Sequence, residues 1–112
     1  MIYEIRDYHY LPEKFEAYKA WAKEAVPVLS ELLDVVGFYV DDGTAPEATG
    51  TNPERPSIGY ANVTWIIRWS SKAERDVKFA EAIRSPKWVD VWGRHPDADG
   101  YLQMLSRFVE EM

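Results

Sequence analysis

The order of strand-like and helix-like stretches is the feature that most constrains the fold of this chain. Residues 2–10, 35–40, 60–69 and 101–109 have the β-branched and aromatic content, and in part the alternation, that is typical of strands. Stretches with apolar residues every three or four positions lie between them, at 12–34, 72–85 and 88–94. The resulting order, β-α-β-β-α-β, predicts an α+β fold: a ferredoxin-like sandwich with an antiparallel sheet and both helices on one face.

The helix boundaries carry recognisable signals. Pro12 is placed where a helix begins, since the first turn does not need its missing N–H. Ser71 and Glu74 form a capping-box pattern at the start of the second helix, which we expect to end before Pro86. Pro27 lies inside the first helical pattern, so we expect a kink there or a split into two pieces.

Residues 41–59, DDGTAPEATGTNPERPSIG, have the composition of a loop. The whole chain has 112 residues, the size of one domain, so we treat 1–112 as a single domain with a long loop insertion. A loop of this length is unusual in a compact domain. We expect it to be mobile or to pack as an arm on a partner subunit.

Charge and composition exclude several classes of function. A net charge of −6 argues against a sequence-independent nucleic-acid binder. The absence of cysteine excludes disulfides and thiolate chemistry, and two histidines without metal-ligand spacing predict no metal site. No phosphate-binding glycine loop or dinucleotide motif occurs, so no cofactor is predicted. Because there is no long apolar run and no secretory signal, we expect a cytoplasmic protein that does not cross a membrane.

The facing of the strands determines which residues meet. Helices on one side of the sheet leave its other side bare, and this predicts a homodimer packed sheet to sheet. We place one set of residues on that bare face: Glu4, Arg6, Thr64 and Arg68. Glu4, Arg6 and Arg68 then permit two interpretations, a structural ion-pair network or a site for an anion or a carbonyl oxygen.

A pocket is predicted between the sheet and the helices. Its expected lining consists of aromatic and titratable side chains: Tyr3, His9, Tyr18, Trp65, Trp69 and Trp92. If the pocket is catalytic, His9 is the candidate general base and Asp7 the residue that orients it, since imidazole titrates near neutral pH. The tryptophans would hold a flat organic substrate. Core packing explains the same aromatic residues without any ligand.

Several short segments resemble those of NIPSNAP-domain proteins. They are YEIRDYHYLPEKFEAY at 3–18, EAVPVL at 24–29, VVGFYVDDG at 35–43, WSSKAERD at 69–76 and SPKW at 85–88. The resemblance implies the dimeric α/β-barrel fold and little about chemistry. Two functions stay open at this stage. One is a small-molecule-binding protein, in its catalytic form a cofactor-independent enzyme of oxygenase or isomerase type; the other is a non-catalytic homodimeric binding or protein-interaction module.

Overall fold

The computed structural model describes residues 1–112 and contains four strands and three α-helices. Along the chain these are β1 (Ile2–Tyr10), α1 (Phe15–Leu32), β2 (Val35–Val40), β3 (Val63–Trp69), α2 (Lys72–Ile83), α3 (Pro86–Trp92) and β4 (Tyr101–Glu110). The strands form one antiparallel sheet in the order β2-β3-β1-β4. The predicted α+β, ferredoxin-like class is therefore confirmed.

The core lies between one face of the sheet and the helices. Buried side chains of β3 pack against the apolar stripe of α1 and against single buried residues of α2 and α3: Val63, Trp65, Ile67 and Trp69 from the strand, and Tyr18, Trp21, Ala22, Ala25, Leu29, Ala82 and Val91 from the helices. We call the side of the sheet that faces the helices the inner face, and its opposite the open face.

The register of β1 against β3 corrects the predicted facing of β1. Glu4 pairs with Ile67 and Arg6 pairs with Trp65, so both charged residues lie on the inner face. The other set of β1 residues, Tyr3, Ile5 and Asp7, pairs with Arg68, Ile66 and Thr64 on the open face. The prediction that Glu4 and Arg6 lie on the bare face is therefore wrong, whereas Thr64 and Arg68 do lie there.

Two local predictions need correction, and β2 has an irregularity of its own. The pairing of β2 with β3 shifts in register between Val35 and Gly37. α1 runs through Pro27 without a split. Pro27 has no N–H to donate to the Lys23 carbonyl, but both residues are exposed, so water can serve as the donor instead. β3 begins at Val63 rather than at Tyr60, since the Asn62 side chain takes over two hydrogen bonds to the backbone of Tyr10.

The segment between β2 and β3 contains no helix or strand, as its composition predicts. Residues 41–58 are all exposed. Asp41 N–H donates to the Asn62 carbonyl at 2.8 Å and so closes the base of the loop. The loop lies at one end of the β2–β3 hairpin, where Val40 pairs with Val63.

Candidate functional site

A cavity of about 370 Å³ lies between the inner face of the sheet and the helices. Sixteen of its 17 lining residues are hydrophobic. The sheet contributes Arg6, Tyr8, Phe38, Trp65, Tyr101 and Met104, and the helices with the turn after α1 contribute Tyr18, Trp21, Ala25, Leu29, Leu33, Phe79, Ala82, Ile83, Trp88, Val89 and Trp92. We call it the sheet–helix cavity.

Small side chains on the helices help to leave this space open. Ala25 of α1 and Ala82 of α2 are both buried and both line the cavity. Larger residues at these positions would extend into the space that the alanines leave between the helices and the sheet. The void is therefore a consequence of which residues face inward on the helices.

Tryptophans form one wall of the cavity. The ring centroids of Trp21 and Trp92 are 5.8 Å apart, and those of Trp88 and Trp92 are also 5.8 Å apart. The Trp21 indole N–H donates to the Val91 carbonyl at 2.8 Å, which fixes α3 against α1. Aromatic side chains held in this way offer a rigid apolar surface to a flat molecule.

Arg6 is the one charged residue in the lining. Its Nε donates to the Tyr8 hydroxyl at 2.7 Å, and its Nη1 donates to Glu4 at 2.9 Å and to the Ser106 hydroxyl at 3.0 Å. The guanidinium carbon lies 4.6 Å from the ring centroid of Phe79. These contacts hold a cation in a fixed position beside the cavity.

Glu4, below Arg6, is fully buried and ionised. Its two oxygens accept hydrogen bonds from Arg75 at 3.0 and 2.8 Å, and Oε1 also accepts from the Trp69 indole N–H at 3.1 Å. Burial alone raises the pKa of Glu4, but the hydrogen bonds from Arg75 and the charges of Arg6 and Arg75 leave that pKa below its usual value. Glu4 and Arg6 therefore do form an ion-pair network, but on the inner face and with Arg75. Arg68, the third residue predicted for it, lies outside the network and pairs with Asp34 at 2.8 Å.

A second polar group borders the cavity at Tyr101. Asp97 N–H donates to His95 Nδ1 at 3.0 Å, so in the neutral ring the proton lies on Nε2 and is donated to the Tyr101 hydroxyl at 2.8 Å. Burial lowers the pKa of His95 and raises the pKa of Tyr101. Both side chains are therefore neutral at pH 7, and the Tyr101 hydroxyl keeps its own proton to donate.

The structure brings together only some of the predicted site residues. Tyr18, Trp65 and Trp92 line the cavity as expected. Trp69 is buried on the inner face, but its indole binds Glu4 and it does not line the cavity.

The other three predicted residues lie outside the cavity. Tyr3, Asp7 and His9 belong to the set of β1 residues that the pairing with β3 and β4 places on the opposite side from Arg6 and Tyr8, and none of them lines the cavity. Asp7 accepts a hydrogen bond of 2.6 Å from the Thr64 hydroxyl, and the buried His9 has no hydrogen-bond partner for Nδ1. A role for His9 and Asp7 in catalysis stays a prediction, without a contact to this cavity.

Sequence reasoning missed several lining residues. Tyr8 was missed together with Arg6, because alternation puts the two in one set and Arg6 was predicted on the bare face. Trp21 lies three positions after Tyr18 on the same helical stripe, a spacing that identifies it as an inward residue. Tyr101 has no such signal, because its position depends on a register shift in the pairing of β1 with β4 near Tyr10.

No three His, Cys, Asp or Glu side chains are arranged so that they could hold a metal ion. None of the helices combines the length and the apolar character that crossing a membrane requires.

No protein-family model matches the sequence, and no curated protein matches it either. Solved structures do match. An uncharacterised NIPSNAP domain protein from Burkholderia xenovorans superposes with a TM-score of 0.70 at 14% identity, over 100% of this chain and 95% of that chain. A NIPSNAP family protein from Agrobacterium tumefaciens gives 0.72 at 16%, over 99% and 85%. The chain therefore has the fold of NIPSNAP domains, as the resemblance of its segments implied.

The same fold is shared with more distant structures. A putative antibiotic biosynthesis monooxygenase from Bacteroides thetaiotaomicron superposes with a TM-score of 0.57 at 16% identity, over 100% of this chain and 89% of that chain. At such identities the likeness defines the fold and leaves the chemistry of the cavity to its own residues.

Proposed function

We propose that this chain is a NIPSNAP-like protein that binds a small, flat organic molecule in the sheet–helix cavity. The observation that carries the proposal is the cavity itself, about 370 Å³ in volume with 16 hydrophobic residues among the 17 that line it. Ligand sites in proteins commonly have volumes of roughly 300–1,000 Å³, apolar walls and a few fixed polar groups. Arg6, Tyr8 and Tyr101 are the polar groups here.

A catalytic form of this function has one supporting observation, the pair of Tyr101 and His95. Tyr101 lines the cavity, and its hydroxyl accepts a hydrogen bond from His95 Nε2. The Tyr101 O–H is then left to donate to an acceptor, either the neighbouring Tyr18 hydroxyl or a ligand. A cofactor-independent reaction of oxygenase or isomerase type would use such a donor at a developing oxyanion. The fold neighbour named as a putative monooxygenase is in keeping with this class.

The binding function is tested by filling the cavity. In Ala82→Phe, a phenyl ring replaces the methyl group of Ala82 and occupies part of the cavity. We expect this substitution to abolish the quenching of tryptophan fluorescence by naphthoate, a flat aromatic acid. Four of the five tryptophans, all except Trp69, line the cavity, so wild-type protein should show strong quenching.

Trp69→Phe is the matched control, since it removes the tryptophan that does not line the cavity and should leave quenching in place. Quenching that persists in Ala82→Phe, or that disappears in Trp69→Phe, would place the ligand elsewhere and contradict the proposal. A wild-type protein that shows no quenching would contradict it as well.

We also propose that this chain forms a homodimer, in which the open face of one copy binds the open face of the other. That face carries the apolar side chains Ile5, Ile66 and Leu105, and Leu105 is 46% exposed. Asp7, Arg68 and Arg107 lie among them and supply charges of both signs, which suits a surface that pairs with itself. A non-catalytic interaction module would use the same face.

A further inference from the structure

We propose that the sheet–helix cavity selects ligands that carry a carboxylate on their flat apolar skeleton, and that Arg6, Tyr8 and Trp65 bind this group. The inference rests on the proposed function, to which it adds the chemical class of the ligand. It is carried by three hydrogen-bond donors that the chain itself leaves unused.

Arg6 provides the first donor. Its Nε and Nη1 are occupied by Tyr8, Glu4 and Ser106, whereas Nη2 makes no hydrogen bond within the chain. Nε and Nη2 donate from the same edge of a guanidinium, so the free N–H groups lie beside the Tyr8 hydroxyl. The guanidinium carbon lies 4.6 Å from the ring centroid of Phe79 and 5.6 Å from that of Trp65.

Tyr8 and Trp65 provide the other two donors. The Tyr8 oxygen accepts from Arg6, so its own O–H is free, and no acceptor within the chain takes it. The Trp65 side chain is only 3% exposed, and its indole N–H is buried without a hydrogen-bond partner. An unpaired buried donor costs free energy, which a ligand that accepts from it would recover.

The three donors lie close together. Arg6 and Trp65 are direct cross-strand partners, and Tyr8 follows Arg6 on the same face of β1. Burial raises the pKa of Tyr8, and the charge of Arg6, its hydrogen bond and the nearby Trp65 N–H act in the opposite direction. The Trp65 N–H thus lies near the Tyr8 oxygen but does not form a hydrogen bond of normal geometry with it. All three residues line the cavity, and each of them has an N–H or O–H donor that no acceptor of the chain takes.

The local charge favours an anion over a neutral carbonyl compound. Glu4 is paired with Arg6 and Arg75, and Arg75 is paired in turn with Asp76, which also binds Lys72. This connected group contains three cations and two carboxylates, so its net charge is +1 although each cation contacts a carboxylate. Hydrogen bonds from a charged donor to a charged acceptor are about twice as strong as neutral ones.

The test compares two ligands of nearly the same shape by isothermal titration calorimetry. Naphthoate carries the carboxylate, and acetonaphthone, the corresponding methyl ketone, carries a neutral carbonyl. We expect naphthoate to bind roughly tenfold more tightly than the ketone, the range of a charge-assisted hydrogen bond. Trp65→Phe, which removes the unused N–H and breaks no hydrogen bond of the fold, should reduce that preference about threefold or more.

Trp92→Phe is the matched control, because it also removes a cavity indole but not one of the three donors. It should change the affinity for both ligands alike and leave the preference in place. Equal binding of the two ligands by wild-type protein, or an equal loss of preference in both variants, would overturn the carboxylate inference while the binding function stands. A protein that binds neither ligand would overturn the proposed function itself.

Discussion

Glu4 connects the fold of this protein to its cavity. A carboxylate with no solvent exposure is costly unless it is paired, and Glu4 is paired with two guanidinium groups and one indole N–H. One of these guanidinium groups belongs to Arg6, which reaches the cavity, and the other belongs to Arg75 on α2. The Glu4 carboxylate thus orients Arg6 and at the same time connects β1 to α2.

Replacing Glu4 by Gln should destabilise the protein by roughly 3–5 kcal/mol, the usual cost of leaving buried charges without their partner. Urea denaturation measures this change. Glu16→Gln is the control, because the Glu16 side chain is 88% exposed and its ion pair with Lys19 is worth about 1 kcal/mol or less. A loss in Glu4→Gln no larger than that of the control would contradict the account of this network.

The same substitution has a defined pH dependence. Because the folded-state pKa of Glu4 is lowered, its pairing stabilises the protein above about pH 4.5, the ordinary pKa of the group, and is lost as the pH falls through the lower folded value. Wild-type stability should therefore fall through this acidic range more steeply than that of Glu4→Gln. Parallel pH profiles of the two proteins would contradict the lowered pKa.

At the scale of the elements, their existence and order could be predicted and the facing of β1 could not. Alternation divides β1 into two sets, but both sets mix apolar and charged residues, so it does not say which set faces the helices. Glu4 and Arg6 have the character of surface residues, and only their mutual pairing, with Arg75, makes them inner-face residues. On β3 one set is entirely apolar, and there the facing was predicted correctly.

The candidate site could be predicted only on those elements whose inward-facing side could be predicted. The helical stripe and β3 identified Tyr18 and Trp65 as cavity residues, whereas the error on β1 replaced Arg6 and Tyr8 by Tyr3 and His9. Trp92 was predicted from its place on the segment before the last strand. The contact between Tyr101 and His95 depends on the bulge near Tyr10 and on the turn through Asp97, which no periodicity encodes.

At the scale of the whole molecule, the surface is large for the mass of the chain. The accessible surface is 7379 Å², whereas a 13.0 kDa monomer is expected to expose about 6,300 Å². The exposed 41–58 segment and the uncovered open face both contribute to this excess of about 1,000 Å². A partner in a standard interface buries about 800 Å² on each side, which is similar in size to this excess.

Leu105→Asp should shift the protein from dimer to monomer in light scattering at micromolar concentration. Leu105 lies opposite Asp7 on the open face, so a new carboxylate there places like charges together in an apolar interface. Val77→Asp is the matched control, since Val77 is similarly exposed but belongs to α2, on the other side of the sheet. A monomeric wild-type protein would contradict the proposed self-association.

The most direct test of binding in the sheet–helix cavity is an NMR titration of the five indole N–H resonances with naphthoate, assigned by single Trp→Phe variants. The account predicts that the resonances of Trp21, Trp65, Trp88 and Trp92 shift on binding, with Trp65 moving furthest as its free N–H gains an acceptor. Trp69, already bonded to Glu4, should hardly move. A shift confined to Trp69, or no shift in any indole at saturating naphthoate, would contradict binding in the cavity.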